Sequence, residues 1–219
     1  MNQPAAPARI RIDFVSDVSC PWCAIGLNAL QQALGKLDGE LHADIHLQPF
    51  ELNPQLPAGG EDATEHLARK YGSTAAQIAA NQDALRERGA SVGFTFDMDR
   101  RTRVYNTFDA HRLLHWAELE GRQLPLKHAL LQAYFTDGED VSAHATLVRL
   151  AGAVGLDESR AAEVLARNEY AAEVRKQEQY YLERGIQSVP ATIINDEHLI
   201  SGGQPAEIFE RMLRPFAQA

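Results

Sequence analysis

The sequence has few cysteines: there are two in 219 residues, Cys20 and Cys23. Small secreted proteins held together by disulfides need more than one pair, so this composition argues against a disulfide scaffold. No second Cys-x-x-Cys pair is present to complete the four ligands of a structural zinc site. His111 and His115 are spaced i, i+4 and could complete one, but their apolar neighbours favour ordinary packing. Two cysteines this close, in a reducing compartment, instead indicate redox chemistry.

Positive charge and long apolar runs are also scarce. Lys and Arg number 21 against 30 Asp and Glu, which gives a net charge of −9. Nucleic acid and anionic membrane surfaces attract basic faces, so the composition argues against both as partners. The sequence contains no run of about 18 apolar residues that could span a membrane. Residues 1–8 lack the basic and apolar regions of a signal peptide, so we expect a cytoplasmic protein.

The motif that the sequence does contain is Cys20-Pro21-Trp22-Cys23. Proline is favoured at the first position of a helix, so Pro21 predicts a helix start with Cys20 as its N-cap residue. The Cys20 sulfur would then face the free backbone N–H groups of Trp22 and Cys23, and the helix dipole would favour its nucleophilic thiolate. Cys23 would lie one turn inside the helix. The motif therefore predicts a thiol–disulfide exchange site in which Cys20 attacks and Cys23 resolves.

The hydrophobic pattern predicts where this site lies in the fold. Residues 9–15 alternate like a strand, residues 21–37 have helical spacing, and residues 44–52 predict a second strand. The cysteines then fall at the carboxyl end of the first strand, where the sites of open α/β sheets lie.

A long helical region follows this βαβ unit. Helical patterns cover 61–71, 74–88, 103–120, 123–136, 142–153, 157–166 and 168–184. Residues 191–195 and 198–201 predict a hairpin, and residues 205–216 a last helix. The length of the chain fits one domain with an insertion or two small domains.

The sum of these patterns predicts an α/β protein with a thioredoxin fold. A helical domain would be inserted between the βαβ half and the ββα half. We place the thioredoxin-like domain at 9–56 and 186–219, and the inserted helical domain at 57–185.

Several short motifs along nearly the whole chain carry a resemblance to a known family. They are Asp17 to Gly26 (DVSCPWCAIG), Pro49 to Pro54 (PFELNP), Asn106-Thr107, Ala110 to Leu113 (AHRL), Tyr134-Phe135, Ser188 to Pro190 (SVP) and Ser201 to Pro205 (SGGQP). As a set they resemble the DsbA-like thioredoxin superfamily of oxidoreductases, in its FrnE-like branch. Relatives of that branch include 2-hydroxychromene-2-carboxylate isomerases and kappa-class glutathione transferases. These relatives typically carry serine at the first cysteine, whereas this chain keeps both cysteines, which favours redox chemistry.

The resemblance implies roles for further residues. A cis-proline lies opposite the cysteine pair in thioredoxin-like folds, and Pro190 matches it, so the backbone of Val189 would be free to bind an extended substrate. Pro21 and Trp22 would form an apolar rim for the substrate. Asn106 and His111 fall where relatives line the groove, although helix capping and core packing would explain both as well.

Proton transfer to the leaving thiol needs an acid or base, and three carboxylates are candidates: Asp17, Glu51 and Asp13. Solvated or turn-capping roles explain each of them equally well. We predict no metal and no bound cofactor, with glutathione as a possible co-substrate. The expected partners are protein or small-molecule thiols and disulfides, and the oligomeric state, a homodimer included, stays open. The alternative functions are a glutathione-dependent isomerase or transferase of a small aromatic or polyketide-like molecule, and a redox-sensitive chaperone.

Overall fold

A computed structural model describes residues 7–57 and 59–218 and has the predicted α/β architecture. Its first half consists of β1 (Ala8–Ser16), α1 (Pro21–Lys36) and β2 (Leu41–Pro49). Its last half consists of β5 (Ala191–Ile194), β6 (His198–Ser201) and α9 (Ala206–Ala217). These strands form one sheet in the order β2-β1-β5-β6, with β1 parallel to β2 and antiparallel to β5. The βαβ and ββα halves of the predicted thioredoxin fold are thus confirmed.

The chain between the two halves is mainly helical, as predicted. It contains β3 (Glu61–Asp62), α2 (Ala63–Tyr71), α3 (Ala75–Ser91), β4 (Arg103–Val104), α4 (Phe108–Leu119), α5 (Gln123–Phe135), α6 (His144–Ala153), α7 (Glu158–Ala166) and α8 (Ala171–Glu183). The small antiparallel pair of β3 and β4 was not predicted. Because residues 103–104 pair in β4, the helix predicted from residue 103 begins only at Phe108.

The second strand also differs from its prediction, since β2 begins at Leu41 and ends at Pro49. The next residues leave the sheet, and the backbone N–H of Leu52 donates a hydrogen bond to the Asp17 carboxylate at 2.7 Å. The segment 50–52 therefore belongs to the loops around the cysteines rather than to the strand.

A continuous core connects the sheet with the helical region. The last five residues of β1 are all buried, as expected for a central strand covered on both faces. Phe14 of β1, Leu30 of α1 and Phe209 of α9 belong to the same apolar cluster as Leu130 and Leu147 of the helical region. Val18 and Cys20 of the turn between β1 and α1 belong to the same cluster, so the turn is anchored in this core.

Candidate functional site

The two cysteines lie at the turn from β1 to α1. Cys20 is the N-cap residue of α1 and Pro21 is its first residue, as predicted. Both thiols are free; Cys20 is 4% exposed and Cys23 is 0% exposed. Burial raises the pKa of Cys23 well above its ordinary value, and the hydrogen bond and charge of Cys20 act in the same direction. Both thiols are thus buried, but Cys20 lines a cavity and Cys23 does not.

The sulfur of Cys20 does not cap the helix, which corrects one detail of the prediction. Among the described residues it makes no hydrogen bond to the N–H groups of the first turn and instead donates to the Val189 carbonyl oxygen at 3.7 Å. The Cys23 N–H donates to the Cys20 carbonyl oxygen at 3.1 Å. The protonated thiol thus uses an acceptor on the loop that faces it.

That facing loop contains a cis peptide bond between Val189 and Pro190, as the resemblance implied. Two glycines allow the loops to approach closely. A Cβ on Gly26 would lie 3.2 Å from Pro190 Cγ, and a Cβ on Gly203 would lie 2.7 Å from the Trp22 carbonyl oxygen. Glycine at both positions lets the loops of the last half pack onto the first two turns of α1.

A cavity of about 700 Å³ opens in front of Cys20. One side is formed by Pro21, Trp22 and Val189, and Trp22 is 38% exposed at its rim. The other side is formed by α2, α3 and the loops beside them. This volume falls in the range of roughly 300–1,000 Å³ that small-molecule sites usually have.

The polar lining from the helical region was missed by the sequence analysis. It consists of His66, Lys70, Ser73, Gln77, Asn81, Gln82 and Arg101. Gln77 and Asn81 are spaced i, i+4 next to Ile78 and Leu85, so the sequence does contain a helix face that combines amides with apolar residues. This pattern indicates a helix face with both polar and apolar residues, but it does not indicate that the face lines a cavity.

Lys70 makes shorter hydrogen bonds than Arg101, the other cation of this lining. Its Nζ donates to the Leu52 carbonyl oxygen at 2.8 Å and to Asn53 Oδ1 at 2.6 Å. Burial lowers the pKa of Lys70, and the charges of Asp17 and Cys20 oppose that shift. With Arg101 also in the wall, the cavity offers positive charge and amide donors, which suit a ligand that carries carboxylates.

Asp17 is fully buried beneath the cysteine turn. It accepts hydrogen bonds from the Ser19 N–H at 3.2 Å, the Ser19 hydroxyl at 2.9 Å and the Leu52 N–H at 2.7 Å. His111 lies 3.5 Å from it and also contacts the Phe50 carbonyl oxygen at 3.1 Å. Burial alone would raise the pKa of Asp17, but the hydrogen bond and charge of His111 and the backbone N–H of Leu52 outweigh it and lower that pKa to about 2. Asp17 and His111 together tie the loop 50–52 to the cysteine turn.

Glu51 is the one of the three candidate carboxylates that lines the cavity. It pairs with Arg175 of α8, and Arg175 also donates to Glu178 at 2.7 Å. Burial raises the pKa of Glu51, which Arg175 opposes and the neighbouring Glu178 reinforces. In the described part of the chain, the other oxygen of Glu51 has no hydrogen-bond partner. Glu51 is therefore a carboxyl with a free oxygen beside the cavity.

The structure places Asp13 and Asn106 elsewhere. Asp13 is buried in β1, where it accepts hydrogen bonds from Arg11 at 2.7 Å and Gln48 at 2.6 Å, and it lines a second cavity. Asn106 accepts from the Phe108 N–H at 2.9 Å, at the start of α4. The Asn106 contact matches the helix-capping role that the sequence left open. Asp13 is neither solvated nor turn-capping, because it is buried in β1 and accepts from two side chains. The functional roles of both residues stay predictions.

Two further properties bear on the class of site. In residues 7–57 and 59–218, no group of three or more His, Cys, Asp or Glu side chains is arranged to hold a metal ion. None of the helices described is long and apolar enough to cross a membrane.

Comparisons with known proteins agree with this geometry. The family model described as the DSBA-like thioredoxin domain matches residues 11–214. A probable DsbA oxidoreductase from Streptomyces coelicolor is 33% identical, and its crystal structure has a TM-score of 0.86 over 94% of this chain and 89% of that chain.

Two more distant structures share the fold. The cytosolic disulfide reductase DsbM from Pseudomonas aeruginosa, solved with GSH, is 16% identical, with a TM-score of 0.68 over 95% of this chain and all of that one. A 2-hydroxychromene-2-carboxylate isomerase is 15% identical, with a TM-score of 0.67 over 95% of this chain and 96% of that one. One fold thus carries both redox and isomerase sites.

Proposed function

Because the chain belongs to the DSBA-like thioredoxin domain family, we propose that it is a thiol–disulfide oxidoreductase with Cys20 as nucleophile and Cys23 as resolving thiol. The observation that supports this best is the pair itself: two free thiols at a helix start, with Cys20 at a cavity and Cys23 buried behind it. The reaction belongs in a reducing compartment such as the cytoplasm, where a Cys-x-x-Cys pair acts in exchange rather than as a structural bond.

The reaction has two steps. The Cys20 thiolate attacks one sulfur of a disulfide R–S–S–R′, forms the mixed disulfide Cys20–S–S–R and releases R′–S⁻. Cys23, as its thiolate, then attacks the Cys20 sulfur, forms the Cys20–Cys23 disulfide and releases R–S⁻. The protein is oxidised by two electrons and the substrate is reduced by two; the reverse sequence oxidises a dithiol.

We infer that the preferred substrates are small disulfides with carboxylate groups, glutathione disulfide among them. Cys20 is almost fully enclosed, and the cavity in front of it has the volume of a small-molecule site. Lys70 and Arg101 supply positive charge that complements carboxylates. An extended protein segment is the other predicted substrate, and it would have to enter between Trp22 and α2.

Trapping of the mixed disulfide tests the proposal. Cys23→Ser blocks the second step, so incubation with glutathione disulfide should leave one glutathione on Cys20, seen by mass spectrometry of the intact protein. Cys20→Ser is the matched control and should trap almost nothing, because Cys23 is buried. Trapping by Cys20→Ser and not by Cys23→Ser would reverse the assigned roles.

The alternative is a glutathione-dependent isomerase or transferase for a small aromatic substrate. The observation in its favour is that aromatic side chains, Trp22, Phe50 and Tyr71, line the same cavity as the cations. A variant with both cysteines changed to serine separates the two functions. Loss of disulfide exchange supports the oxidoreductase, whereas a retained glutathione-dependent conversion of a small aromatic substrate would support the alternative.

A further inference from the structure

Lys127 of α5 is a buried lysine that the sequence analysis did not identify. Its side chain is among the largest that are fully buried, with 1% of the residue exposed. Its Nζ has no hydrogen-bond partner among the described residues. Unpaired buried ammonium groups are costly, so a lysine in this position needs either a counter-charge or a neutral form.

The fold holds Lys127 on the side of α5 that faces the sheet. One turn earlier on the same side of the helix, the Gln123 amide accepts a hydrogen bond from the Leu47 N–H at 2.8 Å and donates to the Leu47 carbonyl oxygen at 3.0 Å. This clamp fixes α5 against β2. The leucines beside Lys127 on α5, Leu126, Leu130 and Leu131, belong to the same buried apolar cluster as Cys23 in the first turn of α1.

The charges that act on Lys127 come from the cysteine turn. Burial lowers the pKa of Lys127, while the charges of Cys23, Asp17 and Cys20, in this order, oppose that shift. In the other direction, the Lys127 charge opposes the effect of burial on the pKa of Cys23. Asp17 already accepts hydrogen bonds from Ser19 and Leu52 and lies against His111. Cys23 is therefore the group of this turn whose negative charge, when the thiol ionises, Lys127 is placed to balance.

Other ionisable groups lie on the elements packed against Lys127. They are His128 on α5, whose pKa is lowered by burial and by Lys127, and the pairs His46–Glu118, Arg112–Asp109, His144–Asp109 and Arg149–Glu139. His115 of α4 packs on the Tyr170 ring at 5.1 Å, and its Nδ1 has no hydrogen-bond partner among the described residues. None of these pairs contains a thiol or Lys127.

We propose that Lys127 holds the proton of Cys23 during the resolving step and then balances the charge of the Cys23 thiolate. The proposal rests on the proposed function, because only a resolving Cys23 has to ionise. Cys23–SH and the neutral Lys127 amine become a thiolate and an ammonium. The thiolate attacks the Cys20 sulfur of the mixed disulfide and breaks its bond to the substrate. The ammonium has then lost its counter-charge, and its proton goes to the departing R–S⁻, which leaves as R–SH.

Coupling between two titrating groups is reciprocal, so it can be measured on the lysine itself. The chain has four lysines, and selective ¹³C labelling at Cε gives a titration curve for each by NMR. We expect the Lys127 midpoint to fall in Cys23→Ser and in the disulfide form, since neither has a Cys23 thiolate. Lys36, which pairs with Glu210 at 3.3 Å on the surface, is the control and should not shift. An equal Lys127 midpoint in all three forms would overturn the proposal.

The second measurement follows the thiol. In a Cys20→Ala background, the absorbance of the thiolate at 240 nm reports Cys23 alone, and Lys127→Met, of similar length, should raise its midpoint. In the otherwise unchanged protein, Lys127→Met should slow resolution of the glutathione mixed disulfide about tenfold at neutral pH, the effect of one pKa unit. The first step should keep its rate, whereas a general packing defect would slow both steps.

The two proposals fail in different ways. If the protein does not exchange with glutathione disulfide but the Lys127 and Cys23 midpoints are coupled, the proposed substrate is wrong and the charge pairing stands. If exchange is normal and Lys127→Met leaves both the Cys23 midpoint and the resolution rate unchanged, the role of Lys127 is refuted. The NMR titration needs no Lys127 variant to fold, so it decides the question if Lys127→Met proves unstable.

Discussion

The replacement Asp17→Asn tests whether a buried carboxylate holds the cysteine turn in place. Asp17 has no exposed surface and accepts three hydrogen bonds from Ser19 and Leu52, with His111 beside it. Asparagine keeps the size of the side chain but removes the charge. It also replaces one of the two acceptor oxygens by an amide donor, so the donors that faced that oxygen lose their acceptor.

The magnitude follows from the pKa of Asp17, which falls from 3.8 to about 2 in the folded protein. One pKa unit corresponds to 1.36 kcal/mol, so the charged form contributes roughly 2 kcal/mol to the free energy of unfolding. Because the folded pKa is the lower one, this contribution is complete above the ordinary carboxyl pKa of 3.8. It is lost as the pH falls through that value toward 2, and about 1 kcal/mol is gone by pH 3.

Urea denaturation followed by circular dichroism measures the effect. At pH 7 we expect Asp17→Asn to lower the free energy of unfolding by about 2–4 kcal/mol, from the lost charge and the unpaired donors. Between pH 6 and pH 3 the difference from the wild type should shrink by about 1 kcal/mol. Asp38→Asn, at an exposed position, is the control and should change little at either pH. A difference that stays constant over this range would refute the assignment of the stabilising charge to Asp17.

Two other replacements test how the site is supported. Arg112 is buried and donates to the carbonyl oxygens of Val164, Glu169 and Leu165 at 2.8, 3.0 and 3.3 Å. A lysine ammonium cannot reproduce this guanidinium fork, so we expect Arg112→Lys to lower the free energy of unfolding, measured by thermal denaturation, by about 2–4 kcal/mol. An unchanged melting temperature would contradict this reading. Gly203→Ala would place a Cβ 2.7 Å from the Trp22 carbonyl oxygen, so we expect it to lower the free energy of unfolding by about 1–3 kcal/mol and to slow disulfide exchange. Gly35→Ala in α1 is the control: its Cβ would meet nothing within 4 Å, so it should leave stability unchanged or raise it. Equal stability of the two alanine variants would show that the close approach at Gly203 is not needed.

The cysteine turn could be predicted because its information is local. Pro21 after Cys20 marks a helix start through the geometry of the proline ring alone, and the alternation of Ile10, Ile12 and Phe14 marks the strand before it. The structure places both elements there. The cis bond before Pro190 was different, since proline chemistry alone favours trans and only the resemblance implied cis. The boundaries of the two predicted domains remain predictions.

The walls of the site could not be predicted, because they depend on contacts between residues far apart in sequence. The end of β2 is one case. Phe50 and Leu52 alternate with Glu51 as in a strand, but Asp17 and His111 hold the backbone of this segment in a loop. The carboxylates are another. Asp13, Asp17 and Glu51 were equivalent candidates in the sequence, and only their neighbours distinguish them, since Arg11 and Gln48 enclose the first, whereas Glu51 keeps an oxygen beside the cavity.

The sequence did contain a signal that Lys127 is buried. Gln123, Lys127, Leu130 and Tyr134 recur at helical spacing and all are buried, so the lysine lies on the apolar side of α5, where a solvated lysine would not be placed. A polar residue in the buried stripe of a helix indicates a specific partner, and the spacing of the apolar residues is enough to recognise the stripe. The identity of the partner cannot be recognised in this way, because Cys23 is about a hundred residues away and reaches the same interior only through the insertion of the helices between β2 and β5. In this fold the insertion therefore supplies both the far wall of the cavity in front of Cys20 and the charge behind Cys23.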